Sequence, residues 1–222
     1  MKELTIPHRF IIVEGNIGAG KTTFSTMLSN DFDRRLILEE FSDNPFLPYF
    51  YDNPERYAFP VELFFMTERH KQLQAELSQT QLFEQGIVAD YIFLKTLLFA
   101  RNNLHAEEFR LFQRLFYILN TNFPRPDLLV YLHLPVEGLL QNIKKRGRSY
   151  EQNMDAHYLA QIQQAYFDYF KTITDIPVLI LDVQGVDFVQ HPHHYQAMVT
   201  LLQQSFTPGL HHISVANELR EE

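Results

Sequence analysis

The chain has 222 residues, of which 45% are apolar and 14% aromatic, and its formal net charge is −8. This length and apolar content can bury a sizeable core, so we predict one domain over residues 1–222. The acidic charge argues against nucleic-acid and anionic-membrane partners, which it would repel. The absence of cysteine excludes disulfides, thiolate metal sites and cysteine nucleophiles. No apolar run of 18 residues and no signal-peptide pattern is present, so we expect a cytoplasmic protein without a membrane-spanning helix.

Short runs rich in β-branched residues alternate along the chain with longer helical patterns. The predicted strands cover residues 10–13, 36–38, 87–88, 128–132 and 178–181. The predicted helices cover residues 21–28, 54–80, 91–101, 107–121, 136–145 and 155–173. We expect residues from about 208 to 222 to form a loosely packed tail. The alternation predicts an α/β fold with a five-stranded parallel sheet and helices on both faces, whose ligands bind beyond the carboxyl ends of the strands.

A phosphate-binding loop follows the first predicted strand. Residues 15–22 match the pattern G-x-x-x-x-G-K-[ST] and open a helix, which is the context that this motif requires. Lys21 would reach the β- and γ-phosphates of a nucleoside triphosphate, and Thr22 would offer its hydroxyl to Mg²⁺. The loop predicts a P-loop site for ATP or a similar donor but does not identify the acceptor. The predicted nucleotide-binding residues are Gly15, Asn16, Ile17, Gly18, Ala19, Gly20, Lys21, Thr22 and Thr23.

Carboxylates follow the second and third predicted strands, at the edge where ligands bind. Glu39 could take a proton from an alcohol acceptor as a general base, which is worth about 10²- to 10⁴-fold in rate. A solvated strand end or a helix N-cap would explain Glu39 equally well. Asp90 would assist Mg²⁺ or would cap the helix that follows it, and both interpretations stay open.

Four cations lie within residues 144–148 of this acidic chain. A short lid over about residues 144–153 that carries Arg146 and Arg148 would neutralise the charge on a transferring phosphoryl group and exclude water. A basic helix end that balances its own dipole would explain Lys144 and Lys145, but it explains the two arginines less well. The pattern therefore favours a lid with catalytic arginines.

Taken together, these motifs resemble the deoxyribonucleoside kinase family over about residues 9–205. The family's loop reads G-N-I-G-[AS]-G-K-[ST]-T, as residues 15–23 do here. Its second strand ends in a catalytic glutamate, followed by proline and, in bacterial members, by a segment resembling N-P-[FY]-L. Here Glu39 matches the glutamate, Glu40 replaces the proline, and residues 44–47 match the segment.

The resemblance implies a P-loop NTPase fold and transfer of the γ-phosphate of ATP to the 5′-hydroxyl of a deoxynucleoside in nucleotide salvage. Glu39 would be the general base, with Lys21 holding the donor. Tyr51 and Glu151 would hold the sugar 3′-hydroxyl, and Phe46 would pack near the base. Because family members are commonly dimers, a homodimer is also implied.

The chain departs from the family where the nucleobase is read. The family's glutamine is replaced by Glu62, while Arg69 stands in the place of the family's arginine, seven residues later. Phe65 and Met66 share the helical face of these two residues and are expected to line the pocket. Guanine offers adjacent N–H donors that a carboxylate accepts, which slightly favours a purine, whereas pairing with Arg69 would leave Glu62 unable to read the base.

The absence of the family's E-R-S or D-R-S triplet is a second departure. Asp90 is interpreted as the surviving acid, in the Mg²⁺ role, with Tyr91 where the arginine stood. Lys95, about one turn further along the same predicted helix, would restore the missing positive charge.

Other interpretations are weaker. A thymidylate-kinase-like nucleoside monophosphate kinase would follow its glutamate with Pro-Gly-Gly, but Glu-Phe-Ser-Asp stands at residues 40–43. A non-catalytic nucleotide-binding protein would not need the base, the sugar-binding pair and the lid. The histidines of residues 191–194 are interpreted as a polar loop and helix start, and no metal role is assigned to them. The aromatic residues expected to pack in the core or a subunit interface are Tyr158, Tyr166, Phe167, Tyr169 and Phe170.

Overall fold

The computed structural model of the protein describes residues 5–39, 44–77, 86–120 and 123–221. These residues form one parallel sheet of six strands in the spatial order β2-β3-β1-β4-β5-β6. The strands are β1 (Phe10–Gly15), β2 (Arg35–Ile37), β3 (Ile87–Ala89), β4 (Leu128–His133), β5 (Pro177–Asp182) and β6 (Gly209–Ser214). β1 lies between β3 and β4, where the direction of strand addition reverses, and such a reversal opens a crevice for ligands at the carboxyl ends.

Helices surround this sheet. They are α1 (Lys21–Asp31), α2 (Leu47–Asp52), α3 (Pro54–Leu77), α4 (Lys95–Asn103), α5 (Ala106–Leu119), α6 (Val136–Arg146), α7 (Ala156–Phe170), α8 (Pro192–Leu202) and α9 (Val215–Glu221). A short 3₁₀ turn, Ser149–Glu151, follows α6. Within the described parts of the chain, none of the helices combines the length and apolarity that a membrane span requires.

Both faces of the central strand are buried. Ile11 and Val13 pack in one apolar cluster, while Phe10 and Ile12 pack in another. Successive side chains of a strand point to opposite faces, so this division requires helices on both sides of the sheet. The predicted α/β architecture is thereby confirmed.

The sheet has six strands, so the predicted number of five is wrong. The additional strand, β6, pairs in parallel with β5, and Val215 directly after it is fully buried in the main core cluster. The prediction of a loosely packed tail from about residue 208 is therefore wrong for this segment. β6 is an edge strand in which partly exposed positions alternate with exposed ones, and two of its six residues are histidines. It therefore lacks the continuous apolar run by which the other strands were predicted.

Several helices also differ from the prediction. The helix predicted over residues 91–101 begins at Lys95, because the preceding segment leaves β3 with the amide of Ile92 bonded to the buried Glu14 carboxylate. α2 was not predicted. α3 is described as far as Leu77 and α5 as far as Leu119, and residues 78–80 and 121 of the predicted helices lie outside the described residues.

We predict that Val215→Ala lowers the free energy of unfolding by about 2 kcal/mol, because two buried methyl groups are removed and a cavity remains. Urea unfolding followed by circular dichroism measures the change. Leu210→Ala in β6 is the matched control, since Leu210 is 45% exposed and should cost less than about 1 kcal/mol. Equally small losses from both variants would contradict the packed carboxyl-terminal segment.

Candidate active site

A cleft of about 560 Å³ lies at the carboxyl ends of the strands, beside the phosphate loop. It is bounded by the end of β2, by helices α2, α3, α4 and α7, and by the segment after α6. The lining side chains divide into polar and apolar groups. The charged and polar ones are Lys21, Thr22, Glu39, Tyr51, Glu62, Arg69, Asp90, Lys95, Asn103, Arg146, Arg148, Glu151 and Tyr158, and the apolar ones are Ile17, Leu47, Phe50, Val61, Phe65 and Phe99.

The phosphate loop needs its glycines. Gly18 and Gly20 have φ values of 84° and 90°, which L-residues rarely adopt, and a Cβ on Gly18 would lie 2.8 Å from the Leu139 carbonyl oxygen. Asn16 fastens the loop to α7, because its side-chain amide donates to the Leu159 carbonyl at 2.8 Å. The loop therefore has the narrow, backbone-lined form that brings amide groups to phosphate oxygens.

Lys21 folds back over this loop. Its Nζ donates to the carbonyl oxygens of Gly15 and Asn16, each at 2.9 Å. Burial, followed by the neighbouring Lys95, lowers the pKa of Lys21 to about 8, although three carboxylates oppose the change. Both observations indicate that an anion, such as a phosphate group, would stabilise the Lys21 ammonium.

Asp90 joins three segments at the end of β3. One of its oxygens accepts from the Thr22 hydroxyl at 2.6 Å, and the other accepts from the backbone N–H of Glu39 at 2.7 Å. Asp90 is 2% exposed and lies beside the phosphate loop. A hydroxyl and a carboxylate side by side form an oxygen donor set of the kind that Mg²⁺ uses together with phosphate oxygens and water.

Glu39 is held between two cations that belong to different helices. Arg69 of α3 donates to Oε1 through Nε at 2.8 Å and through Nη2 at 2.6 Å, and the Lys95 ammonium of α4 contacts Oε2. Burial alone would raise the pKa of Glu39, but Lys95 and then Arg69 outweigh it and hold that pKa well below its usual range. Glu39 is consequently an ionised carboxylate inside the cleft.

Glu62 lies on α3 in a different environment from Glu39. It is 2% exposed, and one of its oxygens accepts from the Asn103 side-chain amide at 2.6 Å. Burial raises the pKa of Glu62 to about 7. Arg69 makes no hydrogen bond to Glu62. Its Nη1 donates instead to the Thr96 hydroxyl at 2.8 Å.

The segment after α6 brings its arginines to the cleft. Glu151 is 4% exposed and pairs with Arg146 and, at 3.4 Å, with Arg148. The Tyr150 ring stacks on Tyr51 of α2 at 5.9 Å between centroids. Burial, and next the neighbouring Tyr158 and Glu151, raise the pKa of the Tyr51 phenol, so this group keeps its proton for hydrogen bonding.

The structure brings nearly all predicted site residues together. Phe46 is one exception, because it is 36% exposed just before α2 and is not among the residues that line the cleft, where Leu47 and Phe50 stand. Met66, which was expected beside Phe65, packs in the core with 1% exposure. Tyr158, which was expected in the core or an interface, lines the cleft.

The buried acid Glu14 in β1 was not predicted from the sequence. Its oxygens accept from the Ile92 amide and the Tyr166 hydroxyl, each at 2.8 Å, and burial raises its pKa even though Lys95 and Lys21 act in the opposite direction. A charged residue inside an otherwise apolar strand was the available indication. Asn103 was also missed, and nothing in its local sequence marks it.

Comparison with known proteins identifies relatives over most of the chain. A family model described as deoxynucleoside kinase matches residues 11–207. Deoxyguanosine kinase of Bacillus subtilis strain 168 is 34% identical over 191 residues, which cover 84% of this chain and 92% of that protein. The deoxyadenosine/deoxycytidine kinase of the same organism is 31% identical over 212 residues, which cover 90% and 94% of the two chains.

A solved structure has the same fold. Deoxyadenosine kinase from M. mycoides with bound dCTP superposes with a TM-score of 0.73 at 23% identity, covering 87% of this chain and 98% of that one. The structural likeness supports the P-loop NTPase fold that the family resemblance implied.

We predict that Glu14→Gln stabilises the protein at neutral pH. The raised pKa of Glu14 means that its ionisation costs folding free energy, and that cost appears as the pH rises through the raised value. Glutamine still accepts from the Ile92 amide and can donate to the Tyr166 hydroxyl. Urea unfolding at several pH values should therefore show an advantage of the variant that grows from acid to neutral pH.

Glu68→Gln, which removes a partly exposed acid from α3, is the matched control and should show no such growth. A Glu14→Gln variant that is less stable than the parent at neutral pH would contradict the interpretation.

Proposed function

The chain belongs to the deoxynucleoside kinase family of ATP-dependent phosphotransferases, and we propose that its acceptor is the 5′-hydroxyl of a purine deoxynucleoside. The placement of Glu39 supports this proposal most directly. An ionised carboxylate stands in the cleft beside the phosphate loop, where a general base for an alcohol acceptor is needed. The deoxyguanosine kinase among the relatives is consistent with a purine substrate.

Donor binding is assigned to the phosphate loop. The backbone amides of residues 15–23 and the Lys21 ammonium would hold the β- and γ-phosphates of ATP. Thr22 and Asp90 would hold Mg²⁺, which when bound shields the charge of the phosphates. Arg146 and Arg148, which Glu151 holds at the edge of the cleft, would stabilise the transferring phosphoryl group.

Acceptor binding is assigned to the part of the cleft farther from the loop. Tyr51 and Glu151 would bind the sugar 3′-hydroxyl, with the phenol as donor and the carboxylate as acceptor. Phe65 and Glu62 would face the nucleobase. The roles of these residues are proposals of the same kind, whereas the position of Phe46 outside the cleft gives no support for its predicted role near the base.

Glu39 has little hydrogen-bonding capacity left for a substrate hydroxyl. Arg69 donates twice to one of its oxygens and Lys95 donates once to the other, which takes three of about four acceptor sites, so the departure of one cation would open an oxygen to the substrate hydroxyl. Lys95 is the better candidate, because it makes one contact with Glu39 whereas Arg69 makes two and is also held by Thr96. In the proposed mechanism Lys95 moves to the γ-phosphate of ATP and leaves an oxygen of Glu39 free to accept the proton.

A homodimer and a cytoplasmic location remain predictions, as does the absence of nucleic-acid and membrane partners. The acidic net charge of −8 supports the last of these, because it disfavours contact with other polyanions.

The proposed function predicts that purified protein with Mg-ATP converts at least one deoxynucleoside to its 5′-monophosphate, with purines preferred. Chromatography of reactions with deoxyguanosine, deoxyadenosine, deoxycytidine and thymidine measures the products. Thymidylate and deoxyguanylate are included as acceptors, because diphosphate formation from them alone would identify a nucleoside monophosphate kinase. Turnover of none of the four deoxynucleosides would refute the proposal.

Glu39→Gln is the variant arm of the same experiment. Removing the base should lower kcat by about 10²- to 10⁴-fold, while deoxynucleoside binding is retained. The control variant Glu68→Gln should keep full activity. Full turnover by Glu39→Gln would exclude Glu39 as the base.

For Lys95, we predict that Lys95→Met weakens ATP binding by about 10- to 100-fold, the loss expected for a hydrogen bond to a charged group. ADP binding should change less than about threefold, because ADP lacks the γ-phosphate. Calorimetric titration of each nucleotide measures the two affinities, and Lys171→Met, which removes an exposed lysine after α7, is the control. Equal weakening of ATP and ADP would contradict the contact with the γ-phosphate.

A further inference from the structure

Glu62 has a buried oxygen without a partner. Its Oε1 accepts from Asn103, but among the described residues its Oε2 has no hydrogen-bond donor, although Glu62 is only 2% exposed and lines the cleft. A buried carboxylate oxygen that lacks a donor costs free energy comparable to a lost hydrogen bond. The arrangement indicates that a ligand supplies the missing donor.

The neighbouring cations make no hydrogen bond to Glu62. The backbone positions of Arg69 and Glu62 are about 10 Å apart along α3 at a rise of 1.5 Å per residue, and Arg69 makes its hydrogen bonds with Glu39 and Thr96. Lys95 likewise contacts Glu39. The alternative in which Arg69 pairs with Glu62 and leaves it unable to read a base is therefore not the arrangement in the structure.

We propose that Glu62, positioned by Asn103, reads the nucleobase and selects guanine. The proposal rests on the proposed kinase function and names the base that this cleft accepts. Guanine presents its N1–H and a 2-amino N–H side by side, and a carboxylate only accepts, so the two edges match. Adenine and cytosine instead place a ring-nitrogen acceptor beside their amino group, and thymine places one N–H between two carbonyls.

The protonation of Glu62 adds a measurable consequence. The pKa of Glu62 is raised to about 7, and burial is the largest cause. The Glu39 carboxylate also raises this pKa, whereas Arg69, the hydrogen bond from Asn103 and Lys95 lower it. The Tyr158 phenol, which Asn103 also approaches at 3.3 Å, is the other titratable group beside it, and burial keeps that phenol protonated.

A protonated Glu62 donates one hydrogen bond and accepts one, which suits the N1 and 6-amino edge of adenine. The ionised form predominates as the pH rises through the pKa of Glu62. The preference for deoxyguanosine over deoxyadenosine should therefore increase with pH across neutrality, while both bases remain uncharged.

The experiment compares kcat/KM for deoxyguanosine, deoxyinosine and deoxyadenosine. Deoxyinosine keeps the N1–H but lacks the 2-amino group. The parent protein should prefer deoxyguanosine to both, and Glu62→Gln should lower the ratio of deoxyguanosine to deoxyadenosine by about 10- to 100-fold. The same ratio should rise with pH in the parent and stay constant in Glu62→Gln, because the variant has no carboxyl group to titrate at this position. A merely structural role of Glu62 would not make the ratio depend on pH.

Glu68→Gln is the matched control on the same helix and should leave the ratio unchanged. Titration of each nucleoside without ATP measures base preference independently of turnover. If no deoxynucleoside is phosphorylated but deoxyguanosine still binds best, the kinase function fails and the base assignment stands. If phosphorylation occurs with a ratio that neither Glu62→Gln nor pH alters, the base assignment is refuted, and the pH series on the parent decides even if the variant does not fold.

Discussion

The charge balance around Glu39 is the interaction on which the rest of the cleft depends. Arg69 and Lys95 are both buried, and two buried cations from different helices would be strongly unfavourable without a carboxylate between them. Glu39 in turn remains ionised because these cations outweigh the cost of its burial. The contact joins the end of β2 to α3 and α4, and it thereby sets the distance between the phosphate loop and the helices that form the opposite wall.

Two further acids hold the backbone that surrounds this ion cluster. Asp90 accepts from the Glu39 amide, and Glu14 accepts from the Ile92 amide. Both amides belong to segments that have just left a strand, so neither has a partner within the sheet at that point. These two acids thus fix where the chain turns away from the sheet, and a substitution that removes the accepting oxygen of either would release that turn.

The features that could be predicted from the sequence are local ones. The phosphate loop occupies consecutive residues, so its pattern and its context can be recognised together. The contact of Lys95 with Glu39 spans 56 positions, and no local pattern encodes it. The segment that contains Phe46 was recognised, but the side chains that reach the cleft depend on where α2 begins. Leu47 and Phe50 lie three residues apart on one helical face, whereas Phe46 precedes the helix.

Glu39 and Glu62 differ because the buried cations are unequally shared between them. Both carboxylates line one cleft, but Arg69 and Lys95 contact Glu39, while Glu62 has the neutral amide of Asn103. A strong cationic field beside the phosphate loop favours anions and their transfer, and a cleft end without a paired cation favours recognition through hydrogen bonds to an uncharged ring. In the proposed mode of binding, the division of charge would give the cleft a phosphate end and a base end, and it would set the direction in which a nucleoside lies between them.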